Sequence, residues 1–260
     1  MLKAVVFDMD ATLIDINLSA FIAVLTRDEA ALMADIGRKS TLTAVAAYGS
    51  ALYAVNGGGR ADDDDRTNRE LFNSVIERRL GLRLDDPVIA EAFSCYERDM
   101  LPRRNGALIH ARPKKGAPEA IDCVLSHGLK TALLTNPGFS RDCIQARMAW
   151  GGLEDVPFEL VTYMENSTRC KPSPRYYLES LGKMGLAPEE ALMVGNDPRR
   201  DFPAPDCGLQ TAYVGDGRPV RATWAGDMAD FASSFDEICE RFEERRGRRP
   251  LGLVRDAGRR

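Results

Sequence analysis

Ala4-Val5-Val6-Phe7-Asp8-Met9-Asp10-Ala11-Thr12-Leu13 opens the chain with an apolar run that stops at an acid, with a second acid two positions on. A short run that is apolar throughout, rather than alternating, reads as a strand buried on both faces. Similar runs recur at residues 131–134, 158–162, 191–194 and 210–214, the first of them ending at Thr135-Asn136-Pro137-Gly138. Helix signals fall between them. Ala120, Ile121, Val124 and Leu125 repeat at helical spacing over 117–127, and Gly128 stops them. Ser173 and Pro174 read as the N-cap and first residue of a helix over 175–184, with Gly185 as the stop. Buried strands alternating with helices predict an α/β fold, a parallel Rossmann-like sheet with helices on both faces.

One stretch breaks the alternation. From about Asn17 to Asn105 there are helix signals and no convincing strand, so residues 17–105 are expected to form a helical domain inserted after the first strand. Residues 19–36 and 41–55 read as helices. Thr67-Asn68-Arg69-Glu70 matches a capping box, with Leu71, Phe72, Val75, Ile76 and Leu80 following at helical spacing up to Gly81. Asp86-Pro87 opens another helix, with Phe93, Tyr96 and Met100 expected on one face. The glycines at 57–59 and the aspartates at 62–65 read as an exposed loop; the acids lack the alternating ligand spacing of a calcium loop, so a solvated charge run is expected. The core would then comprise residues 1–16 and 106–240, with hinges near 14–17 and 105–112.

Composition narrows the remaining classes. At 260 residues, 44% hydrophobic and 28% charged, the chain can bury a large core and does not read as disordered. Nothing approaches the ~18 apolar residues of a membrane span, and the N-terminus lacks a secretory pattern, so no membrane association is expected. Six scattered cysteines with no C-x-x-C pair, and only His110 and His127, argue against a zinc site or a disulfide framework; reduced thiols in a cytoplasmic protein are expected. Both histidines read as structural or exposed. Residues 241–260 hold eight arginines against three acids. Without aromatic residues for stacking, this basic tail reads as solvated and poorly ordered, and no nucleic-acid partner is expected.

Open parallel sheets bring their chemistry to the carboxyl ends of the strands. That rule selects Asp8 and Asp10, then Thr135 and Asn136, then the segment from Asn196 to Asp201; Lys171 comes from the loop opening a helix. A carboxylate can attack phosphorus and form an aspartyl-phosphate, and a second can protonate the leaving oxygen and later deprotonate water. Clustered acids repel one another and an incoming phosphate, so a divalent cation is required; an all-oxygen donor set favours Mg²⁺. A lysine and a hydroxyl can hold phosphate oxygens as charge redistributes.

Taken together, four segments resemble the motifs of the haloacid dehalogenase (HAD) superfamily: Val5-Val6-Phe7-Asp8-Met9-Asp10-Ala11-Thr12-Leu13, Leu133-Leu134-Thr135-Asn136, Lys171-Pro172-Ser173-Pro174-Arg175-Tyr176-Tyr177, and Met193-Val194-Gly195-Asn196-Asp197-Pro198-Arg199-Arg200-Asp201. Thr135-Asn136-Pro137, Tyr163-Met164-Glu165-Asn166 and the run from Lys171 are further similar to uncharacterised bacterial members. The resemblance implies Asp8 as nucleophile and metal ligand, and Asp10 as general acid and base with its backbone carbonyl on the metal. It implies Thr135 and Asn136 as phosphate ligands, Lys171 as the balancing cation, and Asp197 and Asp201 as metal-holding acids. Thr12 would support the turn. Two departures stand out. Position 11 is Ala where many members have Gly. Asn196 fills the usual first-acid slot and Asp197 follows, which leaves open which of the two meets the ion.

The insertion resembles the family's C1 cap, with Tyr53, Asn56, Arg60, Arg66 and the Arg103-Arg104 pair as candidates to face the site. The function this implies is a Mg²⁺-dependent phosphatase acting on a small phosphorylated metabolite, phosphoglycolate phosphatase-like or for another phosphomonoester. The alternatives are a phosphomutase of the β-phosphoglucomutase type and a non-catalytic phosphate-responsive binding protein. Monomer and homodimer both remain open.

Overall fold

The computed structural model describes residues 1–247. Six strands form one sheet in the order β5-β4-β1-β6-β7-β8, parallel throughout: β1 (Ala4–Phe7), β4 (Lys130–Leu133), β5 (Leu160–Val161), β6 (Ala191–Gly195), β7 (Gln210–Val214) and β8 (Trp224–Gly226). Two more, β2 (Ile14–Asp15) and β3 (Arg112–Pro113), pair antiparallel as a separate ribbon. β1 lies central, which is why its run is apolar at every position: Ala4 to Phe7 have no solvent exposure. Alternation still sorts its side chains. Val5 and Phe7 join one apolar cluster with Ala120, Ile121 and Val124 of α5 (Ala117–Ser126), Phe231 of α8 (Met228–Phe231), and Ile238 and Phe242 of α9 (Phe235–Gly247). Ala4 and Val6 join the opposite cluster with Tyr176, Tyr177 and Leu181 of α7 (Pro174–Lys183). Helices thus cover both faces. The sixth strand was not anticipated, because Trp224-Ala225-Gly226 is an edge segment too short to show a pattern.

The insertion is helical. It comprises α1 (Leu18–Gly37), α2 (Thr41–Val55), α3 (Asn68–Leu80) and α4 (Pro87–Cys95), then a wide π-type turn at Tyr96–Met100 and a 3₁₀ turn at Leu101–Arg104. The Thr67/Glu70 capping box forms, and Gly81 ends α3 with φ +69°. The five apolar residues from Leu71 to Leu80 are buried against α1 and α2, together with Met164 and Cys170 of the core. A second seam joins Phe21, Leu25, Leu101 and Ile109 to Cys143 and Ala146 of α6 (Arg141–Trp150). The expected face of Phe93, Tyr96 and Met100 does not persist. The extra residue in the π turn rotates the helix, so Met100 is 46% exposed while Glu97 turns inward. The chain enters and leaves through the β2–β3 ribbon. Beside it the Asn17 N–H donates to the Ile109 carbonyl (2.9 Å), and Asn105 closes both backbone groups of Ala111 (2.9 Å each).

The loop at 62–65 is exposed, as expected, and is held in place: Arg169 donates to the carbonyls of Ala61 (3.0 Å) and Asp62 (2.8 Å), and Arg66 forks onto Asp64. One expectation needs correction. The C-terminal segment does not leave the core at residue 241. Helix α9 continues to Gly247, buries Phe242 completely, and Glu243 accepts the Leu2 N–H at 2.8 Å. The arginines of 241–247 ride the solvent side of that helix, so their charge hid its apolar stripe. Residues 248–260 of the expected tail lie outside the described range.

Candidate active site

Asp8 follows β1 directly. Its N–H donates to Val194 (2.9 Å), while the Phe7 carbonyl accepts from Leu134 (2.7 Å), so the first acid is tied to β6 and β4. Asp8 is 8% exposed. Lys171 reaches it from the loop before α7: Nζ donates to Asp8 Oδ1 at 2.7 Å and to Asp201 Oδ1 at 2.6 Å. All three groups are buried. Burial pushes the Asp8 carboxyl up from its usual range, against the pull of Lys171, and pushes Asp201 up to about 6 against the same lysine. Burial opposes the ammonium of Lys171, yet Asp201 and Asp8 hold it well above the ordinary lysine range.

The turn after Asp8 is held by backbone and side chain together. The Ala11 N–H donates to Ile14 (2.8 Å), Lys114 Nζ donates to the Ala11 carbonyl (2.8 Å), and Ala11 adopts φ 57°. The alanine therefore carries the left-handed conformation that Gly would adopt without strain. Thr12 is fully buried, its hydroxyl 3.2 Å from Asp8 Oδ2 and 3.3 Å from Asn196 Oδ1. This supports the expected bracing of the turn and brings Asn196 beside the first acid. Asp197 turns elsewhere, with Oδ1 accepting the Arg199 N–H at 2.9 Å. Asp201 Oδ2 accepts the Asp197 N–H (2.9 Å), so both Asp201 oxygens are engaged by the protein. Gly195 is required by this packing: a Cβ there would lie 2.3 Å from Asp201 Oδ2.

Thr135 ends the neighbouring strand. Its carbonyl accepts from Thr162 (2.7 Å) and Tyr176 (2.8 Å), which fixes the backbone, while its own hydroxyl is buried with no hydrogen-bond partner among the described residues. A buried unpartnered hydroxyl asks for a ligand or water. Asn136 is committed differently. Its Nδ2 donates to Asn56 of the insertion (3.0 Å), and its Oδ1 accepts the Lys171 N–H (3.2 Å).

Several of these residues border a cavity of about 400 Å³. Asp8, Asp10, Asn136, Lys171, Asn196, Asp197, Arg200 and Asp201 supply its polar wall; Ile16, Leu18, Ile22, Leu52 and Phe139 supply an apolar one. Of the insertion's polar candidates only Asn56 lines it. Tyr53 is 70% exposed, Arg60 binds Asn68 (2.7 Å), Arg66 serves Asp64, and Arg104 pairs with Asp28 at 2.8 Å. Arg103 does not line it, and His127 packs on Phe235 away from it. A larger open groove of about 880 Å³ lies at the N-terminal ends of β6 and β7, the edge opposite Asp8.

The sequence reading missed Arg147. It lies on α6, has no solvent exposure, and its guanidinium pairs with Asp10 Oδ1. A signal existed: Cys143, Ile144 and Met148 are buried on α6 at spacings that include 147, so an arginine sits on an apolar stripe.

Comparison with known proteins agrees with this architecture. Residues 2–205 match the family model described as haloacid dehalogenase-like hydrolase. The N-acetylmuramic acid 6-phosphate phosphatase of Pseudomonas aeruginosa is 28% identical over 215 residues, covering 82% of this chain and 81% of that protein. The phosphoglycolate phosphatase of Thiobacillus denitrificans is 26% identical over 196 residues, 75% of each chain. Among solved structures, the β-phosphoglucomutase of Clostridium difficile superimposes with a TM-score of 0.55 at 15% identity, covering 95% of this chain and 100% of that one. An HAD phosphatase from Thermococcus onnurineus gives 0.54 at 17% identity, covering 90% and 98%. At such identities the structures speak for the fold alone. The family match spans the four motif-bearing segments, from β1 to the loop after β6, and the chain belongs to the haloacid dehalogenase-like hydrolase family.

Proposed function

We propose that the chain is a Mg²⁺-dependent phosphatase that hydrolyses a small phosphorylated metabolite through an aspartyl-phosphate on Asp8. The observation that carries this reading is the Asp8–Lys171–Asp201 cluster bordering the same cavity as Asp10, with the unpartnered Thr135 hydroxyl at the adjacent strand end. The names of the two curated relatives, both phosphatases, support the same chemistry.

In this reading the Asp8 carboxylate attacks phosphorus while Lys171 balances the charge gathered on Asp8 and the phosphoryl oxygens. Thr135 donates its free hydroxyl to one of those oxygens. Asp10 protonates the leaving oxygen, then takes a proton from the water that attacks the aspartyl-phosphate. The insertion is a cap: its apolar residues Leu18, Ile22 and Leu52 keep water from the cavity, and Asn56, bonded to Asn136, ties the cap to the strand end beside Thr135.

The donor set fits Mg²⁺. Among the described residues no three Asp, Glu, His or Cys side chains form a ready cage. What lies together is hard oxygen: the Asp8 carboxylate and the Asn196 amide oxygen on one Thr12 hydroxyl. Few protein ligands with hydration retained is the habit of Mg²⁺ rather than of Ca²⁺ or Zn²⁺. Asp8, Asn196 and the Asp10 carbonyl would hold the ion, with Asp197 alongside and Asp201 bracing Lys171. Mg²⁺ would supply charge neutralisation for the carboxylates and the incoming phosphate.

The test is phosphate release by the purified protein from a panel of phosphorylated metabolites that includes N-acetylmuramic acid 6-phosphate and phosphoglycolate, with Mg²⁺ and with chelator. Turnover of at least one member with Mg²⁺, lost on chelation, is expected. Chelator-resistant turnover would overturn the metal assignment, and absence of turnover across the panel would overturn the phosphatase.

A further inference from the structure

The Arg147–Asp10 pair is not explained by packing. Arg147 has no solvent exposure, and its Nε and Nη1 find no hydrogen-bond partner among the described residues. Its side-chain ion pair is with Asp10. A buried guanidinium with unpartnered N–H groups destabilises a fold relative to an apolar residue of the same volume. Such a residue persists where its position serves something else.

Its neighbours indicate what it serves. The guanidinium carbon lies over the Phe21 ring at 4.8 Å and over the Phe139 ring at 5.4 Å. Phe21 belongs to α1 of the insertion and is fully buried; Phe139 follows the Thr135-Asn136 segment of the core. The two rings meet edge to face at 5.4 Å. The cation therefore rests on one ring from each side of the cap–core seam and holds one oxygen of Asp10, whose side chain is 18% exposed and borders the cavity. Ring faces attract a desolvated cation, and a planar guanidinium on two such faces has little freedom to turn.

We propose that Arg147 is a positioning residue that fixes the orientation of the Asp10 carboxylate, and that Phe21 makes this orientation depend on the seating of the insertion against the core. The proposal rests on Asp10 acting as the proton donor and acceptor in the phosphatase reading. It follows that Arg147 matters most where the leaving group needs a proton, as an alkoxide does and a nitrophenolate does not.

The experiment is a double-mutant cycle with Arg147→Met and Asp10→Asn, read as kcat/KM for an alkyl phosphate and for p-nitrophenyl phosphate with Mg²⁺. Arg147→Met should lower kcat/KM for the alkyl ester by about tenfold to a hundredfold, at or below the lower end of general-acid effects because Asp10 itself remains, and for the aryl ester much less. In the Asp10→Asn background it should change neither by more than about twofold, the behaviour of residues that act as one unit. Arg147→Lys, which keeps the charge, should recover part of the loss. Phe21→Leu, which leaves the arginine in place, should give the same leaving-group signature at smaller size, and it carries the test if Arg147→Met does not fold. Equal losses for the two esters, or the same loss with and without Asp10, would overturn the role of Arg147 while leaving the phosphatase standing. Full activity of Asp10→Asn on the alkyl ester would instead overturn the role of Asp10, and the proposal with it.

Discussion

Replacing Lys171 by Met tests the electrostatics on which the site rests. Lys171 Nζ lies 2.7 Å from Asp8 and 2.6 Å from Asp201, and all three are buried. Met has nearly the same length and no charge, so the change leaves two buried carboxylates facing each other. Breaking a buried pair from one side costs about 3–5 kcal/mol, because the partner stays desolvated and unpaired. For a domain of this size that corresponds to a fall in Tm of roughly 6–20 °C. The loss should depend on pH. Burial already holds Asp201 up at about 6 with the lysine present, and holds Asp8 above its usual range. Without Lys171 both would rise further. A carboxyl whose folded pKa exceeds its unfolded value stabilises the fold fully below the unfolded pKa and loses that contribution as pH climbs through the folded one. The variant should therefore be most impaired near pH 8 and recover toward pH 5, by about 1.4 kcal/mol for each unit of added shift per group. Urea unfolding of both proteins at pH 5 and 8, followed by circular dichroism, reads this directly. A deficit of the same size at both pH values would refute the idea that Lys171 holds two carboxylates ionised in the interior.

Two further outcomes follow from single residues. Ala11→Gly should stabilise the protein by about 0.5–1 kcal/mol in urea unfolding, because relief of the φ 57° conformation outweighs the added freedom of the unfolded chain; destabilisation would mean the turn is not strained. Glu29, 6% exposed in α1, is raised well above the usual carboxylate range by burial and then by Glu97, so its contribution to stability is present at low pH and is lost as pH rises. Glu29→Gln, neutral at every pH, should match the parent near pH 5 and be the more stable by about 1 kcal/mol or more near pH 8; an unchanged difference between the two pH values would contradict this.

The sheet was legible because its strands are short, apolar and interrupted by strong punctuation. The run from Ala4 to Phe7 is central, and a central parallel strand has no polar face to confuse the pattern. The insertion was legible through local chemistry alone, as at Thr67, Glu70 and Gly81, where cap and stop are written within one turn. What failed was decided at a distance. The π turn at Tyr96–Met100 rotates Glu97 into a seam that only the folded chain supplies. The continuation of α9 past residue 241 depends on Phe242 meeting the core, which a tract of arginines conceals. At the site, residue types and spacing pointed to Asp8, Lys171 and Asp201, which meet in space. They could not show that Asn136 spends its amide on Asn56 and Lys171, or that Asp197 caps its own turn while Asn196 lies beside Thr12 and Asp8. Arg147 was invisible because a buried arginine contradicts the expectation for its residue type and is explained only by Asp10 and two rings from different segments.

Nucleophilic catalysis by Asp8 requires that its carboxylate become covalently phosphorylated. It is tested by quenching the enzyme in acid during steady-state turnover of a substrate found in the metabolite panel, digesting it, and locating the phosphoryl group by peptide mass spectrometry. The added phosphoryl mass is expected on the peptide containing Asp8, discharged by hydroxylamine as an acyl phosphate must be, with neither label nor turnover in Asp8→Asn. Turnover by a sequence-verified Asp8→Asn protein, or a label on any other residue, would contradict it.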